Sequence, residues 1–386
     1  MRAGLLGRTL GHSLSPQIHR FFGDYEYRLY EKEPEEVEGL LCEGFASGGF
    51  DFLNVTIPYK QTVFELCDEL SPMARKLGNV NFVTRTADGK LRGDNTDAFG
   101  VGRLLEANGI GVRGWNCAIL GAGGAAMTMK AVLEERGAKR VTFVRRGEEP
   151  AQDDDLIVNA TPVGMWPHTD EVRVRMTDFP CCRAVLDLVY NPSPTRLVRE
   201  ALACGKIAAD GMVMLIAQAY RAFQLSADYQ LPTTNYQLFL YGPPASGKST
   251  WAKRIAAATG WALVDLDAEI VKATGRSIPE IFEKEGEKGF RAVEKKCLFS
   301  ICGDETSPPQ GGRVIALGGG ALLDSESRKI AEAAGRVVVL DCPLETLKAR
   351  ITGGDRPLSA DMAKLEALVR SRAAHYASFS RQVKMI

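Results

Sequence analysis

The stretch Leu240–Trp251, "LYGPPASGKSTW", decides how this chain is organised. Gly242-Pro-Pro-Ala245-Ser246-Gly247-Lys248-Ser249 fits the pattern G-x-x-x-x-G-K-[ST], with the apolar run "YQLFLY" before it and a helical pattern after it. Glycines at those positions let successive backbone N–H groups turn inward around phosphates at the positive end of the following helix. Lys248 adds a point charge for the β- and γ-phosphates, and the hydroxyl of Ser249 suits Mg²⁺. Such a loop follows the first strand of its own domain, yet here it lies well past the middle of 386 residues. A second domain must therefore precede it.

Working outward, the rhythm of apolar runs agrees. "WNCAIL" (115–120), "RVTFV" (140–144), "DLIVNA" (155–160) and "AVLDLVY" (184–190) read as strands separated by helical patterns, the signature of a parallel α/β sheet. "SADYQLPTTN" (226–235) is polar and aperiodic and reads as a linker. The rhythm then restarts with "YQLFLY", "ALVDL" (262–266), "RVIAL" (313–317) and "RVVVLD" (336–341).

Composition sets the outer bounds. Lys+Arg and Asp+Glu are both 48, so zero net charge favours neither a nucleic-acid nor a membrane-surface partner. No apolar run has membrane-spanning length, and "MRAGLLGRTLGHSLSP" lacks the form of a signal peptide, so a cytoplasmic enzyme is expected. The nine cysteines are scattered without a C-x-x-C pair, as in a chain of reduced thiols with neither a disulfide frame nor a zinc site.

In the second unit, Asp265 and Asp267 of "VDLDAEI" stand just past a strand, where ligands of α/β sheets bind. "EKGFRAVE" brings Arg291, "ALGGGALL" a glycine cluster at Gly318, Gly319 and Gly320, "GGDRPLS" a lid-like segment with Arg356, and "RSRAAHY" Arg372. Arginine forks suit a small carboxylated acceptor. In this order the pieces "GPPASGKST", "DLDAEI", "GEKGFRAVE", "LGGGA", "DRPL" and "RAAHY" resemble shikimate kinase over nearly all of residues 236–380. The resemblance implies that Asp267 binds ring hydroxyls of shikimate and that Arg291 and Arg372 clamp its carboxylate. It implies that Gly318–Gly320 pack on the ring, that Asp265 and Ser249 hold Mg²⁺, and that Arg356 closes over the phosphates. Gly242, Ala245, Ser246, Gly247, Lys248, Ser249 and Thr250 would hold ATP, with Lys248 and Asp267 in catalytic roles. After Tyr376 only "ASFSRQVKMI" remains, where the family has a further strand and a closing helix, so neither is expected here.

In the first unit, Gly121-Ala122-Gly123-Gly124-Ala125-Ala126 fits G-x-G-x-x-A between a strand and a helix, a dinucleotide-binding pattern. The next strand ends in Arg145-Arg146 instead of an acid. Guanidinium groups suit a 2′-phosphate, so the charge predicts NADP(H) over NAD(H). Ahead of this fold lie "GHSLSP", "NVTIPYK", "GNVN" and "GDNTD"; behind it lies "ADGMVMLIAQA". A lysine beside a carboxylate is a plausible proton donor to an alkoxide.

"HSLSP", "NVTIPYK", "GDNTD", "GAGGAA", "NATPVGM" and "ADGMVMLIAQA" occur in the order of shikimate dehydrogenase, which residues 3–225 resemble. By that resemblance Ser13 and Ser15 bind the substrate carboxylate, Thr56, Asn81 and Gln218 bind ring hydroxyls, and Tyr190 lies close by. Lys60 and Asp97 form the catalytic pair, with Asp97 also touching substrate, and Met214 lies near the nicotinamide. The family has a helix and a strand where this chain has only "GEEPAQDDD", so one wall of the adenine–ribose pocket is expected to be absent. A terminal helix common in the family is also missing after "AYRAFQL".

The fold class expected is α/β throughout. A substrate lobe would comprise 1–98 and 211–225, a shortened Rossmann NADP lobe 99–210, a linker 226–235 and a P-loop kinase domain 236–386. The two resemblances meet in one pathway, because the product of the first reaction is the acceptor of the second. The expected function is a bifunctional enzyme reducing 3-dehydroshikimate with NADPH and phosphorylating shikimate with ATP. The alternatives are a quinate-type dehydrogenase fused to another small-acid kinase, or one inactive domain serving as a ligand sensor.

Overall fold

The computed structural model describes residues 1–11, 13–226, 236–303, 311–352 and 362–385. They divide into two units, one built on Met1–Tyr229 and the other on Gln230–Ala256 and Gly260–Ile386. Among the described residues no helix is long and apolar enough to cross a membrane. Most of the expected linker, the "GGDRPLS" segment with Arg356, and His12 lie outside the described residues.

The first unit opens with a six-stranded sheet of β1 (Arg2–Gly7), β2 (Glu26–Glu31), β3 (Phe52–Val55), β4 (Glu69–Leu70), β5 (Phe82–Arg85) and β6 (Leu91–Asp94), in the order β2-β1-β3-β5-β6-β4. Strand β5 runs antiparallel to β3 and β6; the other pairings are parallel. Leu6, Leu53, Val55, Val63, Val80 and Val83 form the core on one face.

The second sheet holds β7 (Asn116–Leu120), β8 (Arg140–Val144), β9 (Leu156–Asn159), β10 (Ala184–Asp187) and β11 (Ile207–Asp210), all parallel, in the order β11-β10-β9-β7-β8. Its strands are apolar runs because both faces are covered. Cys117, Ile119, Leu156, Val158, Ala184 and Leu186 enter one core, while Ala118, Leu120, Ile157 and Val185 enter the other. Each wholly buried Leu, Ile or Val in these layers contributes about 1.5–3 kcal/mol. No helix or strand intervenes between β8 and β9, and β8 is the sheet edge. The chain leaves β7 toward β8 on one side and returns to β9 on the other. That reversal is where open α/β sheets bind ligands.

The second unit has one parallel sheet of β12 (Tyr236–Tyr241), β13 (Ala262–Asp265), β14 (Gly312–Ala316), β15 (Arg336–Asp341) and β16 (Gln382–Lys384), in the order β13-β14-β12-β15-β16. The central β12 delivers the phosphate loop. Strand β16 corrects the expectation that no further strand follows Tyr376. Arg381 carbonyl accepts from Val339 N–H at 2.9 Å and Met385 N–H donates to Asp341 carbonyl at 2.7 Å. Val383 and Met385 are buried on either side of exposed Lys384. Three residues of alternation are too few for a periodicity reading, and only the partner strand reveals the pairing.

Candidate active sites

In the first unit, strand β3 runs into "NVTIPYK", and Lys60 begins the helix Lys60–Leu66. Asp97 begins the helix Asp97–Ala107. Lys60 Nζ donates to Asp97 Oδ2 at 2.5 Å, and the two side chains are only 17% and 10% exposed. Asn95, the middle residue of "GDNTD", aims the carboxylate. Its Oδ1 accepts from the N–H of Asp97 at 3.0 Å and of Ala98 at 3.3 Å, while its Nδ2 donates to Asn79 at 2.6 Å. Side-chain capping of this kind satisfies N–H groups at a helix start.

Beside the pair, Asn81 Oδ1 accepts from Thr96 N–H at 2.6 Å, and Asn81 Nδ2 donates to Thr96 Oγ1 at 3.1 Å. Thr96 Oγ1 reaches Gln218 Oε1 at 3.5 Å. Gln218 rides on the helix Met212–Leu225, which packs along Asp97–Ala107. That contact needs Gly100, where an added Cβ would stand 2.7 Å from the Met214 carbonyl oxygen. Lys60, Asn81, Asp97 and Gln218 thus converge.

Ser13 and Ser15 approach each other through their hydroxyls at 3.1 Å. A link missed in the sequence joins them to β3. The Tyr27 hydroxyl bonds the Ser15 side chain and donates to Asn54 Oδ1 at 2.9 Å, and burial pushes that hydroxyl well above its usual range. Asn54 is buried, and its Nδ2 has no protein partner among the described residues. Thr56 follows on the same strand end, its methyl against Gly7.

The dinucleotide fingerprint forms the turn between β7 and the helix Gly124–Glu135. Gly121 has φ +98°, and an added Cβ would stand 2.9 Å from the Thr161 methyl. At Gly123 and Gly124 an added Cβ would meet nothing within 4 Å. This exposed, open helix start, with Ala122 and Ala125 in it, fits a pyrophosphate. Arg145 and Arg146 are exposed at the carboxyl end of β8. Met214 is buried in the core beneath Gly100.

Three residues at the ends of β9, β10 and β11 align in register: Asn159, Asp187 and Asp210. Asn159 binds the Thr161 hydroxyl at 2.6 Å, and Asp210 accepts from Met212 N–H at 3.0 Å and from the Ser193 hydroxyl at 2.5 Å. Asp187, between them, accepts from Asn159 Nδ2 (2.8 Å), Thr195 Oγ1 (2.7 Å) and Val189 N–H (3.1 Å). The ladder therefore ties down the Thr161 loop, the loop bearing Tyr190, and the start of the Gln218 helix. Burial pushes the Asp187 carboxyl up to about 6 and also raises the Tyr190 hydroxyl. From the sequence, Asn159 and Asp187 lie inside runs read as strands and Asp210 in "ADGMVMLIAQA", where no strand is expected, so nothing marks the three as one ladder.

In the second unit the phosphate loop takes left-handed backbone at Gly242 (φ +135°), Ala245 (φ +63°) and Gly247 (φ +92°). For Ala245 that conformation costs about 1–2 kcal/mol. Lys248 Nζ donates to the carbonyls of Gly242 (3.0 Å) and Pro243 (2.8 Å), folding the lysine over the loop. Ser246 is buried and its hydroxyl has no protein partner among the described residues. The helix Lys248–Thr259, beginning Lys248-Ser249-Thr250, carries the loop's end. Ser249 Oγ donates to Asp265 Oδ2 at 3.1 Å. Asp265 Oδ1 caps the next helix, accepting from the N–H of Asp267 (3.0 Å) and Ala268 (3.4 Å). Among the described residues no group of three His, Cys, Asp or Glu is set to hold a metal. One hydroxyl and one carboxylate suit Mg²⁺, which keeps its waters and takes phosphate oxygens.

The acceptor side gathers around the glycine cluster. The Gly319 carbonyl accepts from Arg372 Nη1 at 3.1 Å and from the Tyr376 hydroxyl at 2.6 Å. A Cβ on Gly320 would stand 2.5 Å from the Arg291 guanidinium; on Gly318 it would stand 2.7 Å from Glu294 Oε1 and 3.6 Å from Asp267 Oδ1. Asp267, Arg291, Arg372 and the three glycines thus face one space. Glu294 was missed, although its spacing of three from Arg291 on a helix is readable. It is 3% exposed, binds Arg291 through Oε2, and its Oε1 has no hydrogen-bond partner among the described residues. Burial raises its carboxyl.

Comparison with known proteins agrees with both units. Residues 5–83 match the family model of the shikimate dehydrogenase substrate binding domain, and residues 244–385 match that of shikimate kinase. The NADP-dependent shikimate dehydrogenase of Clostridium beijerinckii is 35% identical over 251 residues, spanning 59% of this chain and 92% of that protein. The chain belongs to the shikimate dehydrogenase family. A shikimate kinase domain is joined to it. The Methanopyrus kandleri shikimate dehydrogenase is 37% identical, over 59% of this chain and 91% of its own. Among solved structures, a chorismate mutase/shikimate 5-dehydrogenase fusion from Clostridium acetobutylicum superposes with a TM-score of 0.56 at 30% identity, covering 60% of this chain and 92% of that one. The Thermus thermophilus shikimate 5-dehydrogenase, in complex with NADP(H) and shikimate, gives 0.54 at 32%, covering 59% and 94%.

Proposed function

We propose that the chain is a bifunctional enzyme of the shikimate pathway, reducing 3-dehydroshikimate to shikimate and then phosphorylating shikimate at a second site. The observation that carries the first activity is the Lys60–Asp97 pair, set among Asn81, Thr96 and Gln218. NADPH supplies the hydride to the ketone carbon. The Lys60 ammonium gives a proton to the alkoxide oxygen that forms, and Asp97 holds the lysine in place. Ser13 and Ser15 bind the substrate carboxylate; Thr56, Asn81, Gln218 and Tyr190 bind or border the ring. Gly121, Ala122, Gly123, Gly124 and Ala125 cradle the pyrophosphate, Met214 borders the nicotinamide, and Arg145 with Arg146 receive the 2′-phosphate.

For the kinase, Arg291 and Arg372 clamp the shikimate carboxylate, and Asp267 orients the accepting hydroxyl. Lys248 and the loop from Gly242 to Thr250 hold ATP, Ser249 and Asp265 hold Mg²⁺, and Arg356 closes on the phosphates. We assign 1–98 and 211–225 to the substrate lobe, 99–210 to the NADP lobe, 226–235 to a linker and 236–386 to the kinase, all in a cytoplasmic protein. The test is NADPH oxidation with 3-dehydroshikimate, repeated with ATP and Mg²⁺ while shikimate 3-phosphate is measured. Oxidation with quinate-type substrates only, or no phosphorylated product, would sink the reading.

A further inference from the structure

The turn bearing Arg145 and Arg146 has little behind it. It leaves an edge strand, and no helix or strand follows before β9. Its own bonds are local. Glu148 N–H donates to the Arg145 carbonyl at 3.0 Å, Arg145 N–H donates to Glu148 Oε2 at 2.7 Å, and Gly147 takes φ +90°. Among the described residues its long-range clamp is Arg173, whose Nη2 donates to the carbonyls of Arg145 and of Glu148, the latter at 3.2 Å. Arg173 is itself held, because its neighbours Val172 and Val174 pack with Val144 in the core under β8. Among the described residues no carboxylate lies in ion-pair range of Arg145, Arg146 or Arg173. The charges of Arg145 and Arg146 are therefore left for an anion, while Arg173 directs its donors to the turn's own carbonyls.

We infer that Arg173 is a positioning residue for coenzyme discrimination: it fixes the Arg145–Glu148 turn in the shape that presents Arg145 and Arg146 to the 2′-phosphate of NADPH. It takes over the bracing that an intervening helix and strand would give. The inference rests on the proposed role of the two arginines. Two hydrogen bonds from one guanidinium nitrogen to the two ends of one turn restrict its shape more than either bond alone. NADH has a hydroxyl where NADPH has the phosphate, so it makes no demand on this turn.

The test is steady-state reduction of 3-dehydroshikimate by the full chain with each coenzyme, for Arg173→Ala, Arg145→Ala, Arg146→Ala and the Arg146→Ala/Arg173→Ala double variant. Kinase activity of the same preparation and the NADH rate serve as internal references for folded protein. Arg173→Ala is expected to raise KM for NADPH about three- to ten-fold, with kcat and the NADH constants kept. In the Arg146→Ala background the same change should add less than about twofold, since Arg173 acts through the turn. Equal losses with both coenzymes would mean general propping of the fold and overturn the inference. Fully multiplicative losses would mean a direct phosphate contact and overturn it too. If Arg146→Ala narrows the preference while Arg173→Ala does not, the inference alone fails. If neither Arg145→Ala nor Arg146→Ala narrows it, the 2′-phosphate reading fails and the inference with it.

Discussion

Lys60 and Asp97, 37 residues apart, meet at 2.5 Å, each as the first residue of its helix. Lys60→Ala should lower kcat for NADPH oxidation by about 10²–10⁴, the usual size of a general-acid contribution. Shikimate binding, measured by calorimetry, should persist, because the carboxylate and most hydroxyl contacts lie elsewhere. A variant within threefold of wild type removes Lys60 from the mechanism.

Asp187 should shape the pH dependence of the first unit's stability. Its carboxyl is raised from 3.8 to about 6 by burial. A raised value means that the folded state favours the protonated form. The stability this group contributes is present in full below about 4 and is lost as pH rises through about 6, by about 3 kcal/mol. Asp187→Asn should lack that decline. Urea inactivation of NADPH oxidation at pH 4.5 and about 6.5 checks it; parallel trends in the two proteins would exclude the effect.

Gly320→Ala should raise the KM for shikimate in the kinase reaction about tenfold, leaving that for ATP near wild type. The added methyl would need the space held by the Arg291 guanidinium, only 2.5 Å away. A side-chain tip can move, so folding should survive while the carboxylate clamp is misaligned. Unchanged shikimate kinetics would take Arg291 out of the acceptor site.

Lys248→Ala should abolish phosphorylation and leave reduction intact, so that shikimate accumulates. The lysine belongs to a loop within the second unit, bonded to Gly242 and Pro243. Product analysis by chromatography reads both steps at once, and a parallel loss of NADPH oxidation would refute the separation.

The sequence by itself determined the two phosphate-type loops and the parallel sheets around them, and it marked Lys60, Asp97, Lys248 and Asp267 as candidates for the reacting groups. Those features are local: a glycine pattern between a strand and a helix, or a polar residue at a strand end, carries its meaning within a few residues. Only the tertiary structure decided how the groups are held. Asn95 aims Asp97 and the Asn159–Asp187–Asp210 ladder anchors three segments. Tyr27 joins Ser15 to Asn54, and Glu294 braces Arg291. Strand β16 also emerged only from its partner, through the 2.9 and 2.7 Å bonds that tie it to β15. These contacts depend on sheet register and helix crossing, which join residues remote in the chain, and a single sequence carries no periodic signal for such pairings.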